Sequence, residues 1–172
     1  MRSFVLNRAY PFPPRDVLLA MLHPSLDPWL LREVTDLQER AELSRQARGD
    51  VVERRTRVVP RASKIPEVAR GVVKHEMVSW VEDARFDLGR GVVSVGITPQ
   101  GFRDVFRFKG SIRVDASADG CVRRVDAELE VRMLVVGRYV EDWLVEEIRR
   151  NMEAEGQALA SFMAAGLHRA PA

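Results

Sequence analysis

The clearest pattern in the chain is an alternation over residues 121–136. Val125, Ala127, Leu129, Val131, Met133 and Val135 fall on one face of an extended segment. Arg124, Asp126, Glu128, Glu130 and Arg132 fall on the other. A period of two with one apolar side predicts an antiparallel strand buried on one face. Strands are also expected at 3–10, 37–47, 51–60, 75–88, 91–98 and 103–115. In the first, Phe4 and Leu6 share a face and Val5 takes the other. In the second, Leu37, Ala41, Leu43 and Ala47 are expected on one face. Gly49-Asp50 and Ala118-Asp119-Gly120 read as turns joining neighbouring strands.

Helical spacing appears in four other places. Pro14 opens a short helix over 15–22, and His23-Pro24 stops it. Asp27-Pro28 reads as an N-cap and first-turn proline for a second short helix to about residue 34. The third is long, over 139–167. Val140, Trp143, Leu144, Ile148, Met152, Leu159 and Met163 form its apolar stripe, and Glu141, Asp142, Glu146 and Glu147 crowd its start. A helical insert over 63–74 interrupts the strands, with Ile65, Val68 and Val72 apolar. Runs of strands followed by one long helix predict an α+β fold: a curved antiparallel sheet wrapped around the C-terminal helix, with two short helices after the first strand. Such a grip leaves a wedge-shaped space that either side chains or a ligand fills.

Composition narrows the class. The chain has 172 residues, 46% hydrophobic and 30% charged, which is globular and enough for one domain. We expect a single domain over 1–166 and a short tail over 167–172. One cysteine, Cys121, excludes an internal disulfide framework, and the three histidines are far apart. No metal or cofactor is expected. No run of 18 apolar residues occurs, and the opening MRSFVLNRAY lacks a signal-peptide core, so a soluble cytoplasmic protein is expected. The net charge is +2, yet residues 31–74 hold 11 basic and 7 acidic side chains. Aromatics do not interleave with these basics, which argues against nucleic acid.

The opening FVLNRAYPFPPRDVLLAMLHPSLDPWLLREV resembles the start of the START-like superfamily (SRPBCC, helix-grip fold). His23-Pro24 stands where that superfamily commonly has Asp-Pro, and Trp29 stands at its aromatic position. The closing VRMLVVGRYVEDWLVEEIRRNMEAEGQALASFM is similar to the end of an uncharacterised bacterial START-like family. The segment VVPRASKIPEVARGVVKHEMVSWVE resembles that family and, more distantly, the PRELI-like lipid-transfer proteins. Together these stretches cover most of residues 3–165.

The resemblance implies a cavity for a hydrophobic ligand between sheet and helix. Trp80, Phe106, Phe108, Leu129, Val131 and Met133 are expected on its sheet side, and Trp143, Ile148 and Met152 on its helix side. Ile65, Val68 and Val72 are the candidate lid. Lys64, Arg70 and Lys74 are candidates to meet a lipid headgroup or an anionic membrane surface. Three functions stand open. The first is binding, or transfer, of a hydrophobic or amphiphilic small molecule such as a lipid. The second is an enzyme of the polyketide cyclase/dehydratase kind using the same cavity. The third is a structural or interaction domain with a filled core. No catalytic residue is assigned, because His75 has no nucleophile placed with it. Oligomeric state is not legible.

Overall fold

Strand β1 (Arg2–Tyr10) ends at Pro11, where the sheet ladder loses its donor. The computed structural model describes residues 1–61, 79–101, 106–132 and 137–169, and the side chains of 131, 137–141 and 144 lie outside that description. Helix α1 (Pro14–Met21) starts on Pro14 and buries Val17, Leu18 and Ala20. Helix α2 (Leu26–Glu33) starts two residues earlier than the Asp27-Pro28 signal indicates, with Ser25 as its N-cap. Pro28 therefore sits inside the first turn, where its missing N–H has no helical partner to lose.

Six strands follow in meander: β2 (Leu37–Arg48), β3 (Val51–Pro60), β4 (Trp80–Asp87), β5 (Val92–Pro99), β6 (Phe106–Ser117) and β7 (Gly120–Val131). The sheet order is β1-β7-β6-β5-β4-β3-β2, antiparallel throughout. Pairing of β1 with β7 brings the two ends of the strand sequence together. Gly120 turns β6 into β7 at φ +143°, and a Cβ there would lie 2.1 Å from the Tyr10 carbonyl oxygen. Helix α3 (Gly137–Ala164) crosses this curved sheet. It begins two residues before the expected start, so its acidic residues fall beyond the first turn. A 3-10 turn at Leu167–Arg169 follows, with Leu167 packed on the core.

The core is densest under the C-terminal half of α3. Ala158, Leu159, Phe162 and Met163 are buried against Tyr10, Leu18, Leu30 and the inner face of β6 and β7. Two side-chain donors pin the helix. Tyr10 donates its hydroxyl to the Gly156 carbonyl at 3.0 Å, and Trp29 donates Nε1–H to the Ala158 carbonyl at 3.0 Å. Tyr10→Phe is expected to lower stability by about 1 kcal/mol, the net worth of one buried hydrogen bond. Urea unfolding of the two proteins measures that difference.

The outer sheet face is a lattice of ion pairs, among them Arg55–Asp83 at 2.7 Å and Arg124–Asp126 at 2.8 Å. Exposed pairs of this kind contribute little each. Basic side chains of the first half find acidic partners in the same way, since Arg45 pairs Glu42 and Arg57 pairs Glu39.

Candidate functional site

The inner face of the sheet is not uniformly apolar. On β3, Val52 and Val58 point inward, and the period of two places Arg54 and Thr56 beside them. Both are buried, at 4% and 0% exposure. Across the ladder, Thr56 pairs with Glu82 and Arg54 with Ala84 on β4. Strand β2 adds Arg40, opposite the buried Val58.

Arg40 occupies the inner face because β2 is irregular. Its register against β3 shifts between Leu37 and Glu39 and again between Glu42 and Ser44. Each shift reverses the inward set. The apolar face expected of Leu37, Ala41, Leu43 and Ala47 is therefore broken. Leu37 is buried, but Leu43 is 52% exposed.

Three carboxylates surround Arg40. Its Nε donates to Asp27 Oδ1 of α2 at 2.7 Å, and its Nη2 to Glu82 Oε1 at 3.4 Å. Glu155 of α3 stands 3.5 Å from Nη1 as an ion pair without hydrogen-bond alignment. These carboxylates hold Arg40 firmly protonated against the opposing effect of burial. Glu155 behaves differently. Removal from water pushes its carboxyl above the usual range, Glu82 adds to the rise, and Arg40 only partly offsets it.

On the far side, Arg123 of β7 lies directly across from Arg8 of β1. Arg8 donates to Gln157 Oε1 at 2.6 Å. Gly156 lets α3 sit on this arginine pair, since a Cβ there would lie 3.1 Å from Arg8 Nε. A cleft of about 30 Å³ opens between Leu6, Asn7, Arg8, Arg123, Met152 and Glu153. That is about the volume of one water molecule. Burial pushes the Tyr10 hydroxyl up, partly offset by Arg123 and Arg8.

A belt of charge thus crosses the grip: Arg123, Glu155, Arg40 with Asp27 and Glu82, then Arg54. It divides α3. Beyond it, Gly156, Ala158, Leu159, Phe162 and Met163 are buried. Before it, no described side chain of α3 is buried. Val145, Ile148 and Met152 touch the core but stay partly exposed, as do Trp80, Ile97 and Phe106 on the sheet.

The residues expected to line a cavity separate accordingly. Phe108 and Leu129 sit in the close-packed core, at 6% and 1% exposure. Trp80, Phe106, Ile148 and Met152 are partly buried and pack against the edge of that core. Trp143 is half-exposed and is not among the described residues packed on the core. It lies roughly two and a half turns from Met152 and so on the opposite side of the helix. Val145, about two turns from Met152, takes the inward position. The side chain of Val131 and all of Met133 lie outside the described residues. So do the proposed lid (Ile65, Val68, Val72), the headgroup residues (Lys64, Arg70, Lys74) and His75. Cys121 is buried in β7, where burial pushes its thiol up and keeps it protonated. Among the described residues no cluster suits a metal ion, and no helix is long and apolar enough to cross a membrane.

The belt escaped the sequence pattern in part. Arg54 and Thr56 carried no clear signal, since β3 has Val51-Val52 at one end and Val58-Val59 at the other and either parity could face inward. Glu155 falls between Met152 and Leu159 on the apolar stripe of α3. Arg40 carried no such signal, because the bulges that turn it inward follow no visible spacing.

The ionised form of Glu155 is disfavoured in the folded chain, so folding and proton uptake are linked. Its folded pKa lies above its unfolded one. The stability it contributes is full below the unfolded pKa and is lost as pH rises through the folded pKa. Glu155→Gln is therefore expected to match the wild type near pH 4 and to gain relative stability toward pH 8. Urea unfolding across that range measures the difference.

This architecture, a seven-stranded curved sheet around a long C-terminal helix, is the helix-grip fold of START-like (SRPBCC) proteins. The Thermus thermophilus protein TTHA0849 shares it with a TM-score of 0.70 at 18% identity, over 96% of this chain and 99% of that one. Zhui aromatase/cyclase from Streptomyces sp. R1128 matches with a TM-score of 0.68 at 12% identity, over 93% and 92%. Norcoclaurine synthase from Thalictrum flavum, in complex with dopamine and hydroxybenzaldehyde, matches with a TM-score of 0.59 at 14% identity, over 95% and 87%. At these identities the likeness is one of fold. Within the fold, the chain belongs to the family described as "Protein of unknown function (DUF2505)", matched over residues 6–163. No curated protein matches it in sequence.

Proposed function

We propose that residues 1–166 act as one unit that binds a hydrophobic or amphiphilic small molecule, foremost a lipid, between the sheet and the N-terminal half of α3. The contrast in packing along α3 carries this reading. Large apolar side chains at Trp80, Ile97, Phe106, Val145, Ile148 and Met152 stay partly exposed, while the far half of the same interface is closed. Covering such surface with a ligand yields about 25 cal/mol per Å² of apolar area removed from water. The fold supports the reading by analogy, since the Thalictrum flavum enzyme's structure holds dopamine and hydroxybenzaldehyde. Titration with a fluorescent fatty acid tests it. Saturable uptake at one molecule per chain is expected, and no uptake of fatty acid or phospholipid would overturn it.

A second reading, acid–base catalysis on the bound molecule, is favoured by one observation. Glu155 has a raised pKa and stands beside Arg40. Displaced carboxyl pKa values of this kind suit proton transfer near neutral pH. An enzyme of the cyclase kind would speed deuterium exchange at the carbon next to a bound ketone, and Glu155→Gln would lose that acceleration. Equal exchange in both proteins would remove this reading.

A further inference from the structure

Arg54 is the anomaly of the charge belt. Its side chain is buried on the inner face of β3, at 4% exposure for the residue. Nη1 donates to the Met21 carbonyl at 3.2 Å, and the guanidinium lies 5.8 Å from the centre of the Phe86 ring. Nε has no partner. Among the described residues no carboxylate stands within ion-pair distance of Arg54. A buried guanidinium normally has an anionic partner, because removing the charge from water is expensive.

Two further donors nearby are also unanswered. Thr56, two residues along the same strand and on the same face, is fully buried, and its hydroxyl has no partner among the described residues. Beyond it on β4, the Trp80 Nε1–H has none among them either. Arg54 Nε and Trp80 Nε1 can only donate, and the Thr56 hydroxyl can donate or accept. Arg40, Arg54 and Arg123 face Asp27, Glu82 and Glu155. Burial pushes the Glu155 carboxyl up, and its nearest cation is Arg40 rather than Arg54. The belt is not sealed, since the Glu82 and Glu155 side chains keep 16% and 24% of their surface exposed.

We propose that Arg54, with Thr56 as a second donor, is the site for the carboxylate end of the ligand, whose apolar body lies toward Trp80, Phe106, Ile148 and Met152. The ligand class is thus an apolar molecule ending in a carboxylate. This deepens the binding function proposed above and rests on it. The carboxylate oxygens answer Arg54 Nε and the Thr56 hydroxyl. A neutral ester of the same length covers the apolar surface but supplies no charge.

Calorimetric titration of the full chain with dodecanoate and methyl dodecanoate at pH 8 tests this. The wild type is expected to bind the acid at least about ten-fold more tightly than the ester, the lower range for a hydrogen bond to a charged group. Arg54→Met should bring that ratio near one while ester affinity changes little. Thr56→Val, which keeps side-chain shape, should lower the ratio about two- to five-fold and serves if Arg54→Met does not fold. Equal binding of acid and ester by the wild type, or an unchanged ratio in Arg54→Met, would overturn the assignment and leave the binding function standing. Binding of neither compound would overturn both.

Discussion

Arg40→Met is expected to destabilise the fold by about 3–5 kcal/mol at neutral pH, the range for removing one partner of a buried ion pair. Asp27, Glu82 and Glu155 lie at 2.7, 3.4 and 3.5 Å from this one guanidinium. Their elements are α2, β4 and α3, so Arg40 ties both helices to the sheet. Methionine fills much of the volume but leaves three carboxyl groups facing one another without a cation. Thermal unfolding should show Tm falling on the order of 6–20 °C. The loss should shrink as pH is lowered and these carboxyls take up protons, because protonation removes the repulsion that the variant exposes. A change below about 1 kcal/mol at pH 7 would show that the belt does not organise the grip.

Phe162→Ala is expected to cost about 3–5 kcal/mol, as aromatic truncations in closed cores do. Phe162 is 0% exposed, with ring centres of Trp29 and His23 at 5.9 and 5.6 Å. Its contacts hold α3 to α2 and to the loop after α1, and a cavity there cannot collapse without moving both. Ile148→Ala, nearly four turns earlier on the same helix, should cost about 1 kcal/mol or less, since Ile148 is only partly buried. The contrast separates the closed half of the grip from the open half. Saturating ligand should widen the deficit of Ile148→Ala. At 100 times Kd the wild type gains about 2.7 kcal/mol, and a weakened site gains less. Equal costs at the two positions without ligand would mean that α3 is packed alike along its length.

Much of this architecture was legible in the chain. The Gly49-Asp50 turn signal located β3 at its observed bounds, and period-two alternation located β7 within a residue of its start, because that strand has one dry face. Prolines set the ends of β1 and the start of α1. The site was legible in outline only. Apolar spacing marked Ile148 and Met152, yet Trp143 fell half a turn away and Val145 took the inward place. Leu129 and Phe108 followed the right parity but lie in the packed core. Parity alone does not tell a filled interior from an open one. The belt was the least visible feature. Apolar stripes describe what avoids water, whereas Arg40 and Glu155 are held inside by one another. Such pairs are long-range, joining β2 to α3 across most of the chain.

Native mass spectrometry of the full chain, incubated with a mixture of fatty acids and phospholipids, shows whether the N-terminal half of α3 and the sheet hold an apolar molecule between them. Ile148→Trp, which adds bulk about one turn from Met152, is the matched control. A one-to-one adduct is expected on the wild type and is expected to be lost in Ile148→Trp while that variant remains folded. A wild type that stays at its bare mass, or an adduct that persists unchanged in Ile148→Trp, would mean that no apolar molecule is held there.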